Sequence, residues 1–425
     1  MQLQKGSLAN YLIMFIVLGI SGMPFFSSNQ PFTILFALGL IGLFMFSHFK
    51  KIDEEFLYVA GAIIACVIFQ AVTFSFFKGI TIMGLIMRIL TAYLAIRLIG
   101  QHYVTYFVRV MVVLSIISLI IFIPIMIKPD LMQTLKDATP AFMSYKYELW
   151  GMEIDRKTLI VYNFVEEIDR LRNNGPFWEP GAFGGYLVIV YMLNTIREAR
   201  LLGPINILFI VTILTTQSTT AYLALFAFIV FYIFFEDYSY ATKSLIIVFG
   251  VAGYIAFQTI PFLGDKIKEE NAGAKDAIET VGGDTRMASA ILDWEDIKGY
   301  PLAGRGIWDE TRVDKKFQYA IRNNGFTNFI AQWGILFFLF YFYWYYRGFR
   351  EFCRIYGGNA FIPIVLILVI WLLSFSENYF DSPFFWSLVF LSIPLREVEA
   401  EEDDEEDEDD GENDSESDED EDDNE

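Results

Sequence analysis

The side chains with the most chemical promise are charged and amide residues gathered around glycine-rich turns. The first such stretch reads Arg170-Leu-Arg172-Asn-Asn-Gly175-Pro-Phe177-Trp-Glu179-Pro180-Gly181-Ala-Phe183-Gly-Gly185-Tyr186. Pro180 suits the first turn of a helix, and the free N–H groups just beyond it favour a negatively charged ligand. Arg170 and Arg172 add fixed positive charge with forked donors that match phosphate, and Glu179 offers a carboxylate able to accept a proton. The competing reading is a glycine-rich helix start with arginines at the lipid headgroup boundary.

A second stretch opens at Asp284-Thr-Arg286 and continues through Asp293-Trp294 to Pro301-Leu-Ala-Gly304-Arg305-Gly306. It closes at Arg322-Asn323-Asn324-Gly325-Phe326-Thr327-Asn328. Arg286, Arg305 and Arg322 are able to converge on one anionic group; taken singly, each also reads as ordinary loop surface. Between the two stretches, Thr215-Thr-Gln217-Ser218-Thr219-Thr220 is a polar turn flanked by apolar runs, so its hydroxyls need either each other or a polar ligand. Arg88 falls near the middle of an apolar run, where a charge requires a polar cavity or an internal partner. Glu377, in Ser-Glu-Asn-Tyr, is a second candidate carboxylate.

Other chemistries lack the residues. The two cysteines, Cys66 in an apolar run and Cys353 in what reads as a short basic loop, form no CxxC clip. The two histidines, His48 and His102, have no metal-ligand spacing. No metal or cofactor is expected.

The elements that must position these residues are set by composition. Of 425 residues 55% are hydrophobic and 20% charged, with 43 Phe and 23 Tyr. A soluble domain cannot bury that many apolar side chains, and the runs are longer than core helices need. The expected fold is all-α, a polytopic membrane bundle of about twelve spans with two large outer loops and a disordered acidic tail. Residues 1–127 hold five spans, 128–181 the first outer loop and 182–263 spans six to nine. The second outer loop occupies 264–325, the last spans 326–396 and the tail 397–425. The first run follows Lys5 without a small-residue cleavage site, which reads as an uncleaved span.

Orientation follows from basic residues in the short connections. With the N-terminus cytoplasmic, the inner connections hold twelve, from Lys5, Lys50 and Lys51 to Arg350, Arg354 and Arg396, while the outer ones hold only Lys78. That asymmetry satisfies the positive-inside rule and places both termini in the cytoplasm. The net charge of −21 belongs to the tail: 22 of the 52 acidic residues lie in Glu397–Glu425, which has no Lys or Arg. The body is therefore close to neutral, which excludes a soluble acidic protein and a nucleic-acid binder. The tail reads either as a solvated extension or as an arm for a basic partner.

In this order and on this topology, the stretches resemble the O-antigen polymerase and ligase family of bacterial surface polysaccharide synthesis. The family's Arg-x-x-Gly-x-Phe segment before a Glu-Pro helix start is similar to Arg172–Pro180, and its polar Ser/Thr turn to Gln217–Thr220. Its arginine followed by a Pro-Leu-x-Gly-x-Gly turn is similar to Arg286 and Pro301–Gly306, and its Asn-rich helix start to Asn323–Gly334. Arg170 and Gly181 fit the Arg-x10-Gly spacing of polymerases. The resemblance covers roughly Arg170–Tyr346.

What the resemblance implies is an enzyme of the bacterial inner membrane, working at the outer face without metal. It would join glycan repeats carried on a polyprenyl diphosphate. Arg172 and Arg286, with Arg305, would face the diphosphate, and Glu179 would be the base, with Glu377 second. Asn323 or Asn324 stands where ligases of this family place a histidine, which favours polymerase over ligase. A chain-length regulator or another envelope assembly protein is an implied partner, with membrane lipid around it. A flippase for the same lipid-linked sugar is the rival from another class; the long outer loops and the lack of an internal repeat weigh against it.

Overall fold

The computed structural model describes residues 7–28, 30–47, 52–149, 152–164, 171–244, 286–312 and 322–397. Arg170, nearly all of the expected ninth span and the tail beyond Glu397 lie outside the described residues.

The chain is mostly helical. Its first half builds α1 (Leu8–Gly22), α2 (Pro24–Ser27), α3 (Gln30–Phe46), α4 (Glu54–Phe74), α5 (Gly79–Ile99), α6 (Tyr103–Ile127) and the short α7 (Asp130–Ala138). Then come α8 (Pro180–Glu198), α9 (Pro204–Thr216) and α10 (Thr219–Phe235). The last part holds α11 (Arg286–Gly299), α12 (Asp309–Arg312), α13 (Gly325–Ile355), α14 (Ile362–Ser374) and α15 (Pro383–Val389). Among the described residues three helical segments are long and apolar enough to cross a membrane: Glu54–Phe74, Gly79–Ile127 and Gly325–Ile355. Within the second, Gly100 at φ 71° and a 3-10 turn at Gly100–His102 separate α5 from α6. Five further apolar helices are shorter, including α1, α9, α10 and α14.

Burial divides these helices into an outer shell and a centre. On α4 the side chains of Ile64, Ile68, Phe69 and Val72 stay exposed, whereas Val59, Ile63 and Val67 turn inward. An exposed apolar stripe of that kind on a long helix is what lipid contact requires. α8 is different: every residue from Ala182 to Ile196 is buried, and it packs against α6, α9, α10 and α14. α15 is likewise buried throughout and packs on α1, α5 and α13. A helix buried on all sides needs no apolar stripe, so α8 can carry glycine, tyrosine, asparagine and threonine among its aliphatic residues.

Two features were not anticipated. An antiparallel hairpin pairs β1 (Ser144–Leu149) with β2 (Met152–Lys157), in register from Ser144 opposite Lys157 to Leu149 opposite Met152. It adds two strands to the expected all-α architecture. The polar–apolar alternation Ser-Tyr-Lys-Tyr-Glu-Leu is the period-two pattern that favours it. Second, α13 extends to Ile355 rather than ending near Tyr346, so Cys353 is a buried helical residue and not a loop thiol.

α13 is also broken at Gly334, at φ 79° and ψ 167°. The Pro301–Gly306 turn, with Gly304 at φ 69°, fills the break. Arg305 N donates to Ala331 O at 2.8 Å and Ile335 N to Pro301 O at 2.8 Å. A Cβ on either Gly304 or Gly334 would run into the other segment's backbone. Gln70 of α4 seals the crossing, its Nε2 donating to Ala303 O and Gln332 O, both at 2.8 Å. Irregular backbone amid apolar packing needs such partners. The two glycine-bearing motifs of the sequence are therefore halves of one joint.

Candidate functional site

Three segments meet at the mouth of α8. Pro180 occupies the first helical turn and forces Glu179 into an extended cap conformation, φ −155° and ψ 163°, in which its carboxylate does not cap its own helix. The carboxylate is thus left for other partners. Opposite it runs the Phe375–Ser382 connection between α14 and α15, held down by Tyr379, whose buried hydroxyl donates to Gly181 O at 3.3 Å. This connection delivers Glu377, only 4% exposed. Glu377 Oε1 occupies the space where a Cβ on Gly181 would stand, and Glu179 Oε1 is 3.4 Å from the same point. A side chain at position 181 would displace the Glu377 carboxyl group.

The neighbours of Glu377 are few. Trp178 Nε1 donates to Oε2 at 3.2 Å. Arg286, at the start of α11, brings a guanidinium nitrogen to 3.8 Å from Oε1, while its Nε donates to Ser376 O at 3.1 Å. Among the described residues no N–H or hydroxyl group donates to Oε1. The Glu179 carboxyl is the group that approaches the same point above Gly181. Burial, reinforced by that second carboxylate, holds Glu377 well above the usual carboxylate range, against the opposite pull of Arg286 and Trp178.

A second charged cluster lies on the same helix. Asp293, fully buried, accepts from Arg312 at 2.9 Å, Arg322 at 2.6 Å and the Thr327 hydroxyl at 2.6 Å. Asp296 faces Arg305 at 3.1 Å and Arg322 at 3.2 Å. Arg312 also donates to Asn328 Oδ1. Asn328 in turn donates to Asn378 at 3.3 Å, and Asn378 to Arg322 O at 3.0 Å. Ser289 Oγ accepts from Asn324 N at 3.2 Å, and Asn324 Oδ1 caps α13 by accepting from Thr327 N at 3.1 Å. Asn323 stands just before that cap.

The remaining candidates sit apart from these two clusters. Arg172 Nε donates to Thr216 O at 3.0 Å, and neighbouring Asn173 bonds Thr215 at 2.9 Å, so the arginine segment docks on the polar turn. Arg88 NH1 donates to the carbonyl of Asp381 at 3.2 Å, which ties the mid-helix charge to the far end of the Phe375–Ser382 connection. The arginines thus have separate anchors. Arg286 faces the carboxylate pair, Arg305 and Arg322 meet over Asp293 and Asp296, and Arg172 holds the Ser/Thr turn. The common focus expected for Arg286, Arg305 and Arg322 is divided because two buried aspartates on α11 draw the latter two.

Reasoning from sequence gave Glu179, Glu377 and Arg286 as separate candidates and did not bring them together. It missed Trp178 and Tyr379, whose types are unremarkable in so aromatic a chain. It also missed Asp293 and Asp296, for which the Asp-x-x-Asp spacing on one helical face was the available signal. Among the described residues no group of three or more His, Cys, Asp or Glu is arranged to hold a metal. No protein-family model, curated protein or solved structure matches the chain.

Proposed function

We propose that the chain is a membrane-embedded glycosyltransferase that joins glycan repeats at the outer face of a bacterial inner membrane, drawing them from polyprenyl-diphosphate donors. The reading rests on the topology expected from the sequence, about twelve spans with both termini cytoplasmic, and on the motif resemblance over Arg170–Tyr346. The observation that carries it is the meeting of Glu179, Glu377 and Arg286 at the buried mouth of α8. Glu179 accepts the proton of the acceptor hydroxyl as its oxygen attacks the donor's anomeric carbon. The bond from that carbon to the diphosphate oxygen breaks, and polyprenyl diphosphate leaves. Arg286 faces the negative charge that grows on the leaving group, where a fixed cation is most effective. Arg172 and Arg305 hold the surrounding segments through Thr216 and Asp296.

The test is a purified-protein assay with a lipid-linked oligosaccharide donor. Polymer formation by the wild type and its loss in both Glu179→Gln and Arg286→Ala are expected. Polymer formed at the wild-type rate by both variants would overturn the reading. A second reading, a proton-coupled flippase for the same lipid-linked sugar, is favoured by one observation, a buried carboxyl pair able to take up a proton. It predicts translocation driven by a pH gradient in reconstituted vesicles, with no change in glycan length.

A further inference from the structure

We infer that Glu179 and Glu377 hold one proton between them, and that Glu377 acts as a positioning residue that aims its partner. This deepens the glycosyl-transfer reading and rests on it for the role of Glu179.

The argument is geometric. Two carboxyl groups approach one point above Gly181, where a side chain would displace Glu377. Two carboxylates cannot hydrogen-bond unless a proton lies between them, since an ionised carboxylate only accepts. Glu377 Oε1 is buried and receives no N–H or hydroxyl donor among the described residues, so that proton is the way its lone pairs are satisfied. The surroundings decide which partner holds it. Glu377 is almost inaccessible, whereas Glu179 is half-buried at the cap of α8. A buried site disfavours charge, so the proton resides on Glu377.

The other groups facing Glu377 do not cancel this. Arg286 from α11 stands at 3.8 Å and is 30% exposed, so water screens it. The Trp178 indole is neutral and donates to the other oxygen. Tyr379, from the same connection, directs its hydroxyl to backbone carbonyls of α8. α13 approaches through Gly325, which brings no side chain.

The consequence for the reaction is that the neutral Glu377 donates a hydrogen bond that fixes the direction of Glu179, the group that accepts the acceptor's proton. When pH rises far enough to remove the shared proton, two adjacent anions replace one. The pair then loses its aim and repels a diphosphate.

Infrared difference spectroscopy of the full-length protein in detergent tests the proton directly, without an activity. A protonated-carboxyl band at neutral pH, shifted in heavy water and missing in Glu377→Gln, is expected. Any carboxyl group other than Glu377 contributes bands common to the two proteins, which cancel in the difference. If the wild type shows no band that Glu377→Gln removes, the inference is overturned, and the glycosyl-transfer reading stands or falls on its own assay. The second measurement is the pH profile of polymer formation. Glu377→Gln carries a permanent amide donor, so whatever turnover it retains no longer declines at alkaline pH. Glu377→Leu, with no donor, drops turnover by about 10²-fold, the range of a misplaced acid–base group. An alkaline limb unchanged in Glu377→Gln would mean that Glu377 is only structural, and would also sink the inference.

Discussion

Two charged clusters share one short helix and are built on opposite principles. Around Asp293 and Asp296, two buried carboxylates face three arginines and a threonine hydroxyl, drawn from α12, the start of α13 and the Pro301–Gly306 turn. Around Glu377, two carboxylates face each other, with one arginine at a distance. In the first, both carboxylates have cationic partners. Its cost of desolvation is offset inside the protein, and its effect is to fix α11 against α13. The second is short of donors and open toward α8, and a surplus of like charge is how a carboxyl group is kept ready to exchange a proton. A buried carboxylate supplied with cationic partners points to architecture; one left short of donors points to chemistry.

The clusters are also coupled. Arg286 and Asp293 stand seven residues apart, two helical turns, and so lie on one face of α11. Locking Asp293 therefore aims Arg286. Asn328 and Asn378 extend the link to the residue beside Glu377.

The most demanding test of the contrast is Glu179→Gln. It is expected to lower turnover by about 10²–10⁴-fold, the range for losing a general base, while leaving the thermal unfolding midpoint unchanged. Steady-state polymer formation and a melting curve on one preparation read both quantities. Asp293→Ala should behave in the reverse order. Removing it strands Arg312 and Arg322, and the unfolding free energy is expected to fall by about 3–5 kcal/mol, as for other broken buried pairs. Denaturant or thermal unfolding of the purified variant checks it. If Asp293→Ala were stable and inactive, the division of labour between the clusters would be wrong.

Gly181→Ala probes the open cluster from its floor. The added methyl enters the space of Glu377 Oε1, so a loss of about 1–3 kcal/mol is expected from overpacking, and turnover falls because the Glu377 carboxyl is displaced. The pH dependence of stability is smaller. Glu377 is raised in the folded protein, so its contribution is fully present below the ordinary carboxylate range and is lost as pH rises through the raised value. Melting temperature should therefore fall toward alkaline pH, and less so in Glu377→Gln. An identical decline in both proteins would remove Glu377 from the explanation.

The unequal legibility of the two clusters has a physical cause. Glu179 could be read because Pro180 marks a helix start and the glycines beyond it mark close approach, both local effects of the backbone. Arg172 and the Ser/Thr turn were legible for the same reason, and they do dock on each other. What could not be read is which charge meets which. Asp293 and Arg322 are 29 residues apart and Glu377 and Trp178 are 199 apart, and a side chain's type says nothing about a partner at such separation. The break in α13 shows the intermediate case. Gly304 and Gly334 each announce unusual backbone, but only the fold reveals that one fills the gap left by the other.

Lys298→Ala is expected to do the least, and for that reason it sharpens the contrast. Lys298 shares α11 with Arg286, Asp293 and Asp296 and is paired with Glu295 at 2.7 Å, yet both side chains are more than half exposed. Water screens such a pair, and holding two long side chains together costs nearly what their attraction returns, so stability should change by less than about 0.5 kcal/mol. Turnover should not change either, because the pair lies away from the helical face that carries Arg286 and Asp293. A tenfold loss of polymer formation in this variant would mean that the overall charge of α11, and not the placement of Arg286 beside Glu377, is what the site depends on. Wild-type behaviour, set beside the collapse of Glu179→Gln and the unfolding of Asp293→Ala, would confine the chemistry to the open cluster and the scaffold to the closed one.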